Sequence, residues 1–319
     1  MDMTKTVPLD RSATVLVAGS TGLVGSVVIR HLHEQGFTSV VGAHTADVDL
    51  TDPAATTEYF DSIRPAVVVD AAARVGGIDA NNSEPVEFLN DNLRIQTNLF
   101  TAAHAVGVDR LLFLGSSCIY PKYSPQPIPE SALLTGPLEE TNDAYAIAKI
   151  AGVIAVRSYR RQYGRRWISA MPTNVYGPGD SFHPTRSHVL PALIRRFHEA
   201  VESGAEEVVV WGTGTPRREF IHVDDLAAAC LHLLDHYDDP EPVNVGCGTD
   251  VSIAQLASLV ADAVGFTGRI TWDVSKPDGT PRKLLDTSRL AGIGWKPAID
   301  LVDGLRDTAR WYADSVGAS

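Results

Sequence analysis

The sequence predicts an α/β fold: a Rossmann doubly wound parallel sheet with a smaller, mixed α/β region toward the C-terminus. Short apolar runs alternate with helix-length amphipathic segments through the first half of the chain, which is the pattern of a parallel sheet covered on both faces. A loop with three regularly spaced glycines follows the first of these runs. The 319 residues, 44% of them hydrophobic, are enough to bury a large core.

Each predicted element follows from one of these patterns. The apolar runs of the first half predict buried strands at residues 14–18, 39–42, 66–70 and 110–115. Amphipathic segments predict helices, notably at residues 22–35, 92–106 and 145–163. Further apolar runs predict short strands at residues 208–211, 219–222 and 243–245. The second half is therefore expected to be mixed.

Composition excludes several classes of protein. No apolar run approaches 18 residues, so no membrane span is expected, and the polar N-terminus is expected to be a loose tail rather than a signal peptide. A formal net charge of -12 argues against a nucleic-acid or anionic-membrane partner. Three scattered cysteines suit neither a disulfide framework nor a zinc site, which predicts no metal and a reducing cytoplasm. Basic pairs at residues 195–196, 217–218 and 282–283 are either solvated patches or sites for a small anion.

The glycine loop predicts a dinucleotide site. Gly19, Gly22 and Gly25 follow the first strand and open the first helix, where glycines permit a tight turn, close approach of a pyrophosphate and close helix packing. The second strand is followed by neither the acid typical of NAD sites nor the base typical of NADP sites, so these residues leave the choice open. Asp49 comes too late for the ribose and is expected near the adenine.

Tyr145 and Lys149 form a Y-x-x-x-K pair on one helix face. A nearby lysine and the nicotinamide charge are expected to lower the pKa of the phenol from its ordinary value of ~10, making it a proton donor to a carbonyl that receives hydride. An ordinary amphipathic helix is the alternative for this common pattern. Ser116 at the end of a strand, together with the glycine loop, makes the combination specific.

These motifs predict the domain organisation. Residues 1–177 are expected to form an NAD(P)-binding Rossmann domain, to which residues 212–247 return. Residues 178–211 and 248–319 are expected to form the substrate-binding region. No segment has the composition of a linker between independent domains.

The Ser116, Tyr145 and Lys149 set resembles the extended short-chain dehydrogenase/reductases that act on nucleotide sugars. The string GSSCIYPK at residues 115–122 is similar to the GDP-L-fucose synthase family, and the similarity runs from about residue 14 to 311. Sugar 4,6-dehydratases have an Asp-Glu pair where this chain has Ser117 and Cys118, so dehydration is disfavoured. Other matching strings lie at residues 71–82, 145–152, 171–184, 187–200, 210–227 and 276–286.

The resemblance implies roles for individual residues. Ser116, Tyr145 and Lys149 would be the catalytic triad, with Ser116 bonded to the sugar carbonyl. Cys118 would be the base and His188 the acid that invert C3 and C5 of a 4-keto sugar, whereas Cys118 taken alone is better explained as a packing residue. Cys230 and Cys247 are expected in the core, and His183 and His222 in structural roles.

The resemblance also implies the ligands, NADP(H) and a GDP-sugar, and a homodimer formed through a four-helix interface. Two departures from the family are Ala43, where an arginine is frequent, and Arg74, where a lysine is common. The first predicts only a modest preference for NADPH, and the second is expected to matter little. The implied cofactor residues are Gly19, Ser20, Thr21, Gly22, Leu23, Val24, Gly25, Asp49, Leu50, Ala72, Leu114, Lys149, Pro172, Asn174, Val175 and His188. The implied substrate residues are Asn174, Arg196, Trp211, Arg218, Asp278 and Lys283, with Arg218 as the diphosphate clamp.

The leading hypothesis is conversion of GDP-4-keto-6-deoxy-D-mannose to GDP-L-fucose by epimerisation at C3 and C5 and NADPH-dependent reduction at C4. A reductase of a related nucleotide ketosugar, such as a 3,6-dideoxy or non-GDP substrate, is the alternative within the same class. A non-catalytic nucleotide-binding or redox-sensing protein is the alternative from another class, and the intact triad disfavours it.

Overall fold

The computed structural model describes residues 8–276 and 278–317, so the first seven residues of the expected N-terminal tail lie outside the described residues. Its strands are short, most of them three to five residues long. In chain order they are β1 (Val15–Ala18), β2 (Val40–Ala43), β3 (Val67–Asp70), β4 (Arg110–Leu114), β5 (Arg166–Pro172), β6 (Asn174–Tyr176), β7 (Glu207–Trp211), β8 (Arg217–Arg218), β9 (Phe220–His222), β10 (Val243–Val245), β11 (Val251–Ser252), β12 (Arg269–Asp273) and β13 (Arg282–Lys283).

Some helices begin at a residue whose side chain caps free backbone amides of the first turn. Asp52 caps one by accepting bonds from the amides of Ala54 and Ala55, and Ser252 and Gln255 form a capping box at another. In chain order the helices are α1 (Leu23–Glu34), α2 (Pro53–Ile63), α3 (Ile78–Ser83), α4 (Pro85–Ala105), α5 (Asp143–Tyr163), α6 (Val189–Ser203), α7 (Val223–His236), α8 (Ile253–Val264), α9 (Ser288–Gly292) and α10 (Leu301–Gly317).

Six strands form one parallel sheet in the order β10-β5-β4-β3-β1-β2. The chain moves outward in one direction from β1 to β2 and in the other from β3 onward, so the strand order reverses between β1 and β3. Ligands of open parallel sheets bind at the carboxyl ends of the strands beside such a reversal. The predicted doubly wound Rossmann sheet is confirmed, and its crevice lies between the ends of β1 and β3.

Helices cover both faces of this sheet. The side chains of α1 and α7 pack with Val15, Val17 and Val69 in one core cluster. The side chains of α2, α4 and α5 pack with Leu16, Val68 and Phe113 in a second cluster on the other face. Alternate residues of one strand thus enter different cores, which explains why these strands are continuous apolar runs.

The remaining elements form the mixed region predicted for the second half. Small sheets pair β11 with β8 and β8 with β13, and β12 with β7, while α6, α8 and α10 surround a third core cluster. β10 returns to the main sheet by pairing with β5. The boundaries of the two regions stay a prediction.

Glu219, which is 0% exposed, joins the two parts of the chain. Its carboxylate accepts hydrogen bonds from the amides of Gly248 (2.6 Å) and Leu285 (3.0 Å). Its carbonyl accepts bonds from Thr173 Oγ1 (3.1 Å) and Asn174 Nδ2 (2.7 Å), just after β5. One buried residue therefore links the end of the main sheet to the C-terminal region.

Two details differ from the sequence prediction. The helix expected at residues 92–106 begins earlier, at Pro85, because proline suits the first turn of a helix. The helices expected to form the four-helix dimer interface, at residues 92–106 and 145–163, bury four of their apolar residues inside this chain, where they cannot meet a second copy: Leu99, Phe100, Ile150 and Val153. Within the described residues, no helix is long and apolar enough to cross a membrane.

Candidate active site

The glycine loop lies in the crevice and suits a dinucleotide. Gly19 has a φ of 76°, and a Cβ there would lie 2.8 Å from the carbonyl oxygen of Ala71. A Cβ on Gly25 would lie only 2.1 Å from the carbonyl oxygen of Gly19, so a side chain cannot fit there. Gly22 precedes α1 and offers no side-chain cap to its first amides. The amides at the start of α1 are therefore left for an anionic group such as a diphosphate.

Most of the predicted cofactor residues line the same edge of the sheet. Leu114 and Pro172 end β4 and β5, Ala72 lies just after β3, and Asn174 and Val175 belong to β6. Leu50 is buried, Ser20 to Gly22 lie in the glycine loop, and Leu23 and Val24 begin α1. Asp49 is exposed, and its carboxylate accepts bonds from the amide and the hydroxyl of Thr51 (2.9 and 2.7 Å). Its side chain is thus used within its own turn.

The serine, tyrosine and lysine of the predicted triad converge at the ends of β4 and α5. Ser116 begins a short 3₁₀ turn, and its Oγ accepts a bond from the amide of Cys118 at 3.2 Å. Lys149, which is 4% exposed, donates from Nζ to the carbonyl of Leu114 at 2.8 Å. The same Nζ lies 5.9 Å from the ring centroid of Tyr145. The phenol and the ammonium are therefore held side by side.

Burial controls the charge states of this pair. It raises the pKa of Tyr145 well above the ordinary value, the charge on Cys118 adds to the rise, and the Ser116 hydroxyl opposes it. A nearby lysine was expected to lower the pKa of Tyr145, but no cation of the described residues contributes to the shift. Burial also lowers the pKa of Lys149 to about 8, against the attraction of Asp70. The phenol is thus protonated and the amine mostly protonated at neutral pH.

Cys118 faces the cleft rather than the core. Asn142 Nδ2 lies 3.3 Å from its sulfur and Lys283 Nζ lies 3.6 Å from it, and both groups are donors. Cys230, in contrast, is 0% exposed, and burial raises its pKa to about 12. Cys247 is half-buried, so the expectation that it lies in the core is wrong; its thiol donates to the carbonyl of Thr249 (3.3 Å). Two polar donors on one sulfur favour chemistry over packing at Cys118.

His188 immediately precedes α6, which begins at Val189. The preceding segment is fixed by a bond from the amide of Gly77 to the carbonyl of Arg186 (3.0 Å). The residue is exposed at the surface, yet neighbouring protein atoms desolvate its ring. This desolvation, followed by the positive charge of Lys283, lowers the pKa of His188. Lys283 therefore acts electrostatically on both Cys118 and His188.

The other two histidines considered have local contacts. His222, 3% exposed, precedes α7 and accepts a bond from the amide of Asp224 at its Nδ1 (3.3 Å). His183 is exposed and accepts a bond from the amide of Thr185 (3.2 Å). Among the described residues, no group of three or more His, Cys, Asp or Glu side chains is placed to hold a metal ion.

Side chains alternate along β8 and β13, and this divides their four basic residues into two that form ion pairs within the protein and two that face the cleft. Arg217 and Arg282 both bind the carboxylate of Asp250, at 2.9 and 2.5 Å. The next residues along β8 and β13, Arg218 and Lys283, are register partners and point to the other face, because successive side chains of a strand alternate. Burial lowers the pKa of Arg218, and the charge of Cys118 opposes this. Two cations without carboxylate partners in the described contacts thus border the thiol.

The remaining predicted substrate residues form an outer wall. Arg196 donates to the carbonyl of Val209 (2.6 Å) and lies 5.8 Å from the Trp211 ring, which is 54% exposed. The carboxylate of Asp278 accepts bonds from the amide and hydroxyl of Thr213 (both 2.8 Å), so it fixes a loop. The amide of Asn174 is likewise engaged with the Glu219 carbonyl.

Sequence reasoning missed Asn142 and Asp70. Asn142 lies three residues before Tyr145, about one helical turn, and this spacing could have placed it beside the site. Asp70 ends the run AVVVD, and a carboxylate closing an apolar strand is a signal that was available. Arg74, in contrast, bonds Glu84 and Asp91 and serves the structure around α4.

Comparison with known proteins bears on this site. The profile of the NAD dependent epimerase/dehydratase family matches residues 15–246. The chain is 59% identical to GDP-L-fucose synthase 1 of Arabidopsis thaliana, over 96% of this chain and 95% of that protein. It is 50% identical to GDP-L-fucose synthase of Escherichia coli K12, over 94% and 97% of the two chains. A crystal structure of a GDP-L-fucose synthetase from Naegleria fowleri bound to NADP superposes with a TM-score of 0.91 at 30% identity, covering 99% of this chain and 97% of that one.

Proposed function

This chain belongs to the NAD dependent epimerase/dehydratase family and, within it, to the GDP-L-fucose synthases, and from this membership we propose that it converts GDP-4-keto-6-deoxy-D-mannose to GDP-L-fucose with NADPH. One observation of the structure supports this more than any other. A cleft-facing thiol with two polar donors lies beside a Tyr–Lys pair, so that an acid–base group and a carbonyl-reducing group share one site.

The first half of the reaction inverts C3 and C5. Protons beside the 4-keto group are acidic enough for side-chain bases when the developing oxyanion is stabilised. Cys118, as thiolate, removes such a proton, and the two donors at its sulfur, Asn142 and Lys283, stabilise the charged form. His188 returns a proton to the opposite face, and burial together with the neighbouring Lys283 lowers its pKa and makes its imidazolium a stronger acid.

The second half reduces C4. Gly19, Gly22 and Gly25 would hold the diphosphate of the nicotinamide cofactor, which would supply the hydride. Tyr145 remains protonated at neutral pH because of burial and donates its proton to the C4 oxygen. The Lys149 ammonium beside the ring stabilises the phenolate that remains. Ser116 donates a hydrogen bond to the same sugar oxygen, and this orients the carbonyl toward both groups.

We assign the diphosphate of the substrate to Arg218. Its guanidinium lies in the cleft wall, and its described contacts are two backbone carbonyls, of Arg217 (2.9 Å) and of Asp278 (3.4 Å). A guanidinium can bind a diphosphate bidentately. Trp211 and Arg196 extend this wall toward the nucleoside.

A homodimer is part of the proposal. The surface of α5 includes Ile147, Ile154 and Tyr163, which are 47%, 41% and 51% exposed. A two-fold interface that pairs α4 and α5 with their copies would cover these side chains. We also assign the protein to the reducing cytoplasm, since all three cysteines are free thiols.

Product analysis tests the proposal directly. The protein is mixed with NADPH and GDP-4-keto-6-deoxy-D-mannose, and the sugar product is identified by NMR, with Tyr145→Phe as the control. We expect stoichiometric NADPH oxidation and the L-fuco configuration at C3, C4 and C5 in the wild type alone. Reduction with C3 and C5 unchanged, or no oxidation of NADPH, would refute the assignment.

A further inference from the structure

Asp70 is a buried acid at the edge of the cofactor crevice that the proposed reaction does not use. It ends β3 and is 1% exposed. Its Oδ1 accepts a bond from the amide of Ala72 at 3.2 Å. Its Oδ2 is buried and has no hydrogen-bond partner among the described residues. A buried carboxylate oxygen without a donor is costly, so its electrostatic surroundings must compensate.

Strand register places this carboxylate next to Lys149. Asp70 and Phe113 are register partners in the parallel pair of β3 and β4, whose strands lie about 4.8 Å apart. Val68 and Phe113 enter the same core cluster, so Asp70, two residues after Val68, projects from the same face as Phe113. Lys149 Nζ lies 4.9 Å from the centroid of the Phe113 ring. The ammonium therefore lies over the neighbouring strand, on the face from which Asp70 projects.

Lys149 has capacity for a second partner. An ammonium has three N–H donors. Among the described residues, Lys149 Nζ donates to one acceptor, the Leu114 carbonyl. A buried ammonium with one neutral acceptor is as poorly compensated as a buried carboxylate with one donor. The two groups are thus electrostatically complementary, although the gap between them exceeds a direct ion pair.

We propose that Asp70 is a positioning residue that keeps Lys149 in its ammonium form at neutral pH and thereby sets the alkaline limit of carbonyl reduction. The part concerning reduction rests on the function proposed above; the part concerning the charge of Lys149 does not. The chemical role assigned to Asp70 is electrostatic, so no bond is made or broken at its carboxylate.

The groups around Lys149 leave Asp70 as the main negative charge facing it. β4 contributes the Phe113 ring and the Leu114 carbonyl, both uncharged. Its own helix, α5, contributes the Tyr145 phenol, which is protonated, and beyond that phenol lies Cys118. Helix α4 contributes the neutral Gln96, whose Nε2 donates to the Ala148 carbonyl at 2.8 Å.

The direction of the pH effect follows from the two buried groups. Burial lowers the pKa of Lys149 to about 8, and the Asp70 charge opposes that fall. Burial raises the pKa of Asp70 to about 6, against the attraction of Lys149. Replacing Asp70 by a neutral residue must therefore lower the pKa of Lys149 further, so the ammonium is lost at a lower pH. Below about pH 6 the wild-type carboxyl is itself mostly neutral, and the difference should vanish.

Asp70→Asn tests this with the shape nearly unchanged. Single-turnover hydride transfer, followed by NADPH absorbance from pH 5.5 to 9.5, should show the alkaline limb shifted by about one pH unit to lower pH, the lower end of the shift that a nearby opposite charge produces. At pH values above the alkaline limb, hydride transfer in Asp70→Asn should be about tenfold slower than in the wild type. At pH 5.5 the two rates should agree. The matched control is Asp225→Asn, which removes a buried carboxylate that is bonded to the amides of Ala298 and Ile299 and is not among the charges acting on Lys149 or Asp70. Its pH profile should not move.

A second measurement requires neither substrate nor turnover. NMR titration of ¹³C-labelled lysine should show Lys149 titrating at a lower pH in Asp70→Asn than in the wild type. Reciprocally, in Lys149→Met the Asp70 carboxyl should titrate above its wild-type value of about 6, which keeps the test available if Asp70→Asn does not fold. Unchanged titrations in both variants would overturn the proposal. Shifted titrations in a protein that does not reduce the ketosugar would uphold the effect on Lys149 and refute the proposed function instead.

Discussion

Replacing Cys118 by serine separates the chemical role of the thiol from its role in packing. The side chain is half-buried, and its two polar neighbours lie at 3.3 and 3.6 Å. A hydroxyl has nearly the same volume and can accept bonds from both donors. The loss of stability should therefore stay within about 1 kcal/mol, or roughly 1–2 °C in melting temperature for a chain of 319 residues.

The effect on proton transfer should be much larger. A hydroxyl ionises far less readily than a thiol, so it cannot supply the anionic base at neutral pH. A positioned general base contributes about 10²–10⁴ in rate. Exchange of the C3 and C5 protons should fall by the same factor, equivalent to about 3–5 kcal/mol.

The assay follows deuterium incorporation at C3 and C5 in D₂O by NMR and mass spectrometry, with NADP⁺ present so that reduction does not compete. Tyr145→Phe serves as the converse variant, because it removes the proton donor for the C4 oxygen but leaves the Cys118 sulfur and its donors. Tyr145→Phe should retain exchange and lose reduction. Cys118→Ser should retain NADPH binding and lose exchange.

Two results would refute this reasoning. If Cys118→Ser exchanges both protons at the wild-type rate but melts well below the wild type, the thiol is a packing residue. If Tyr145→Phe loses exchange to the same degree as Cys118→Ser, the two groups do not have the separate roles assigned to them.

Three further expectations follow from the site and the surface. The kcat/KM for NADPH should exceed that for NADH by less than about a thousandfold, or ~4 kcal/mol. The reason is that β2 ends at Ala43, with no adjacent arginine to bind the 2′-phosphate of NADPH. A larger ratio contradicts this. Light scattering at micromolar concentration should give a dimer and Ile154→Asp a monomer, whereas a monomeric wild type would contradict the interface. Arg218→Met should raise KM for the GDP-sugar roughly 10–100-fold, and Arg217→Met much less, because Arg217 is already bound to Asp250; equal effects would refute the diphosphate assignment.

The central sheet was largely predictable because its first strands are buried on both faces. The runs at residues 14–18, 66–70 and 110–115 are continuous and apolar except at their ends, and the observed strands differ from them by one residue at an end. β5 was not predicted, since Arg166 and Ser169 interrupt its apolar pattern. Pairing with β4 and β10, which are distant in sequence, makes this segment a strand.

The site was predictable only as far as motifs and the resemblance extend. Y-x-x-x-K places Tyr145 and Lys149 on one helix face, and their proximity follows from helix geometry alone. The contact between Lys283 and Cys118 spans 165 residues. It exists because β13 pairs with β8 and so brings its second residue over the cleft. No local pattern encodes such a distance.

Glu219 has a consequence for how ligands enter and leave. Swinging the C-terminal region away from the sheet would break the bonds from Gly248 and Leu285 to a carboxylate that is buried within the protein. Each broken bond to a carboxylate costs about 1.5–3 kcal/mol, so a widely opened hinge is disfavoured at equilibrium. Exchange of sugar nucleotides should then depend on the smaller movements of surface segments, such as the Gly212–Thr213 turn held by Asp278. Loosening that turn should change product release before it changes either chemical step.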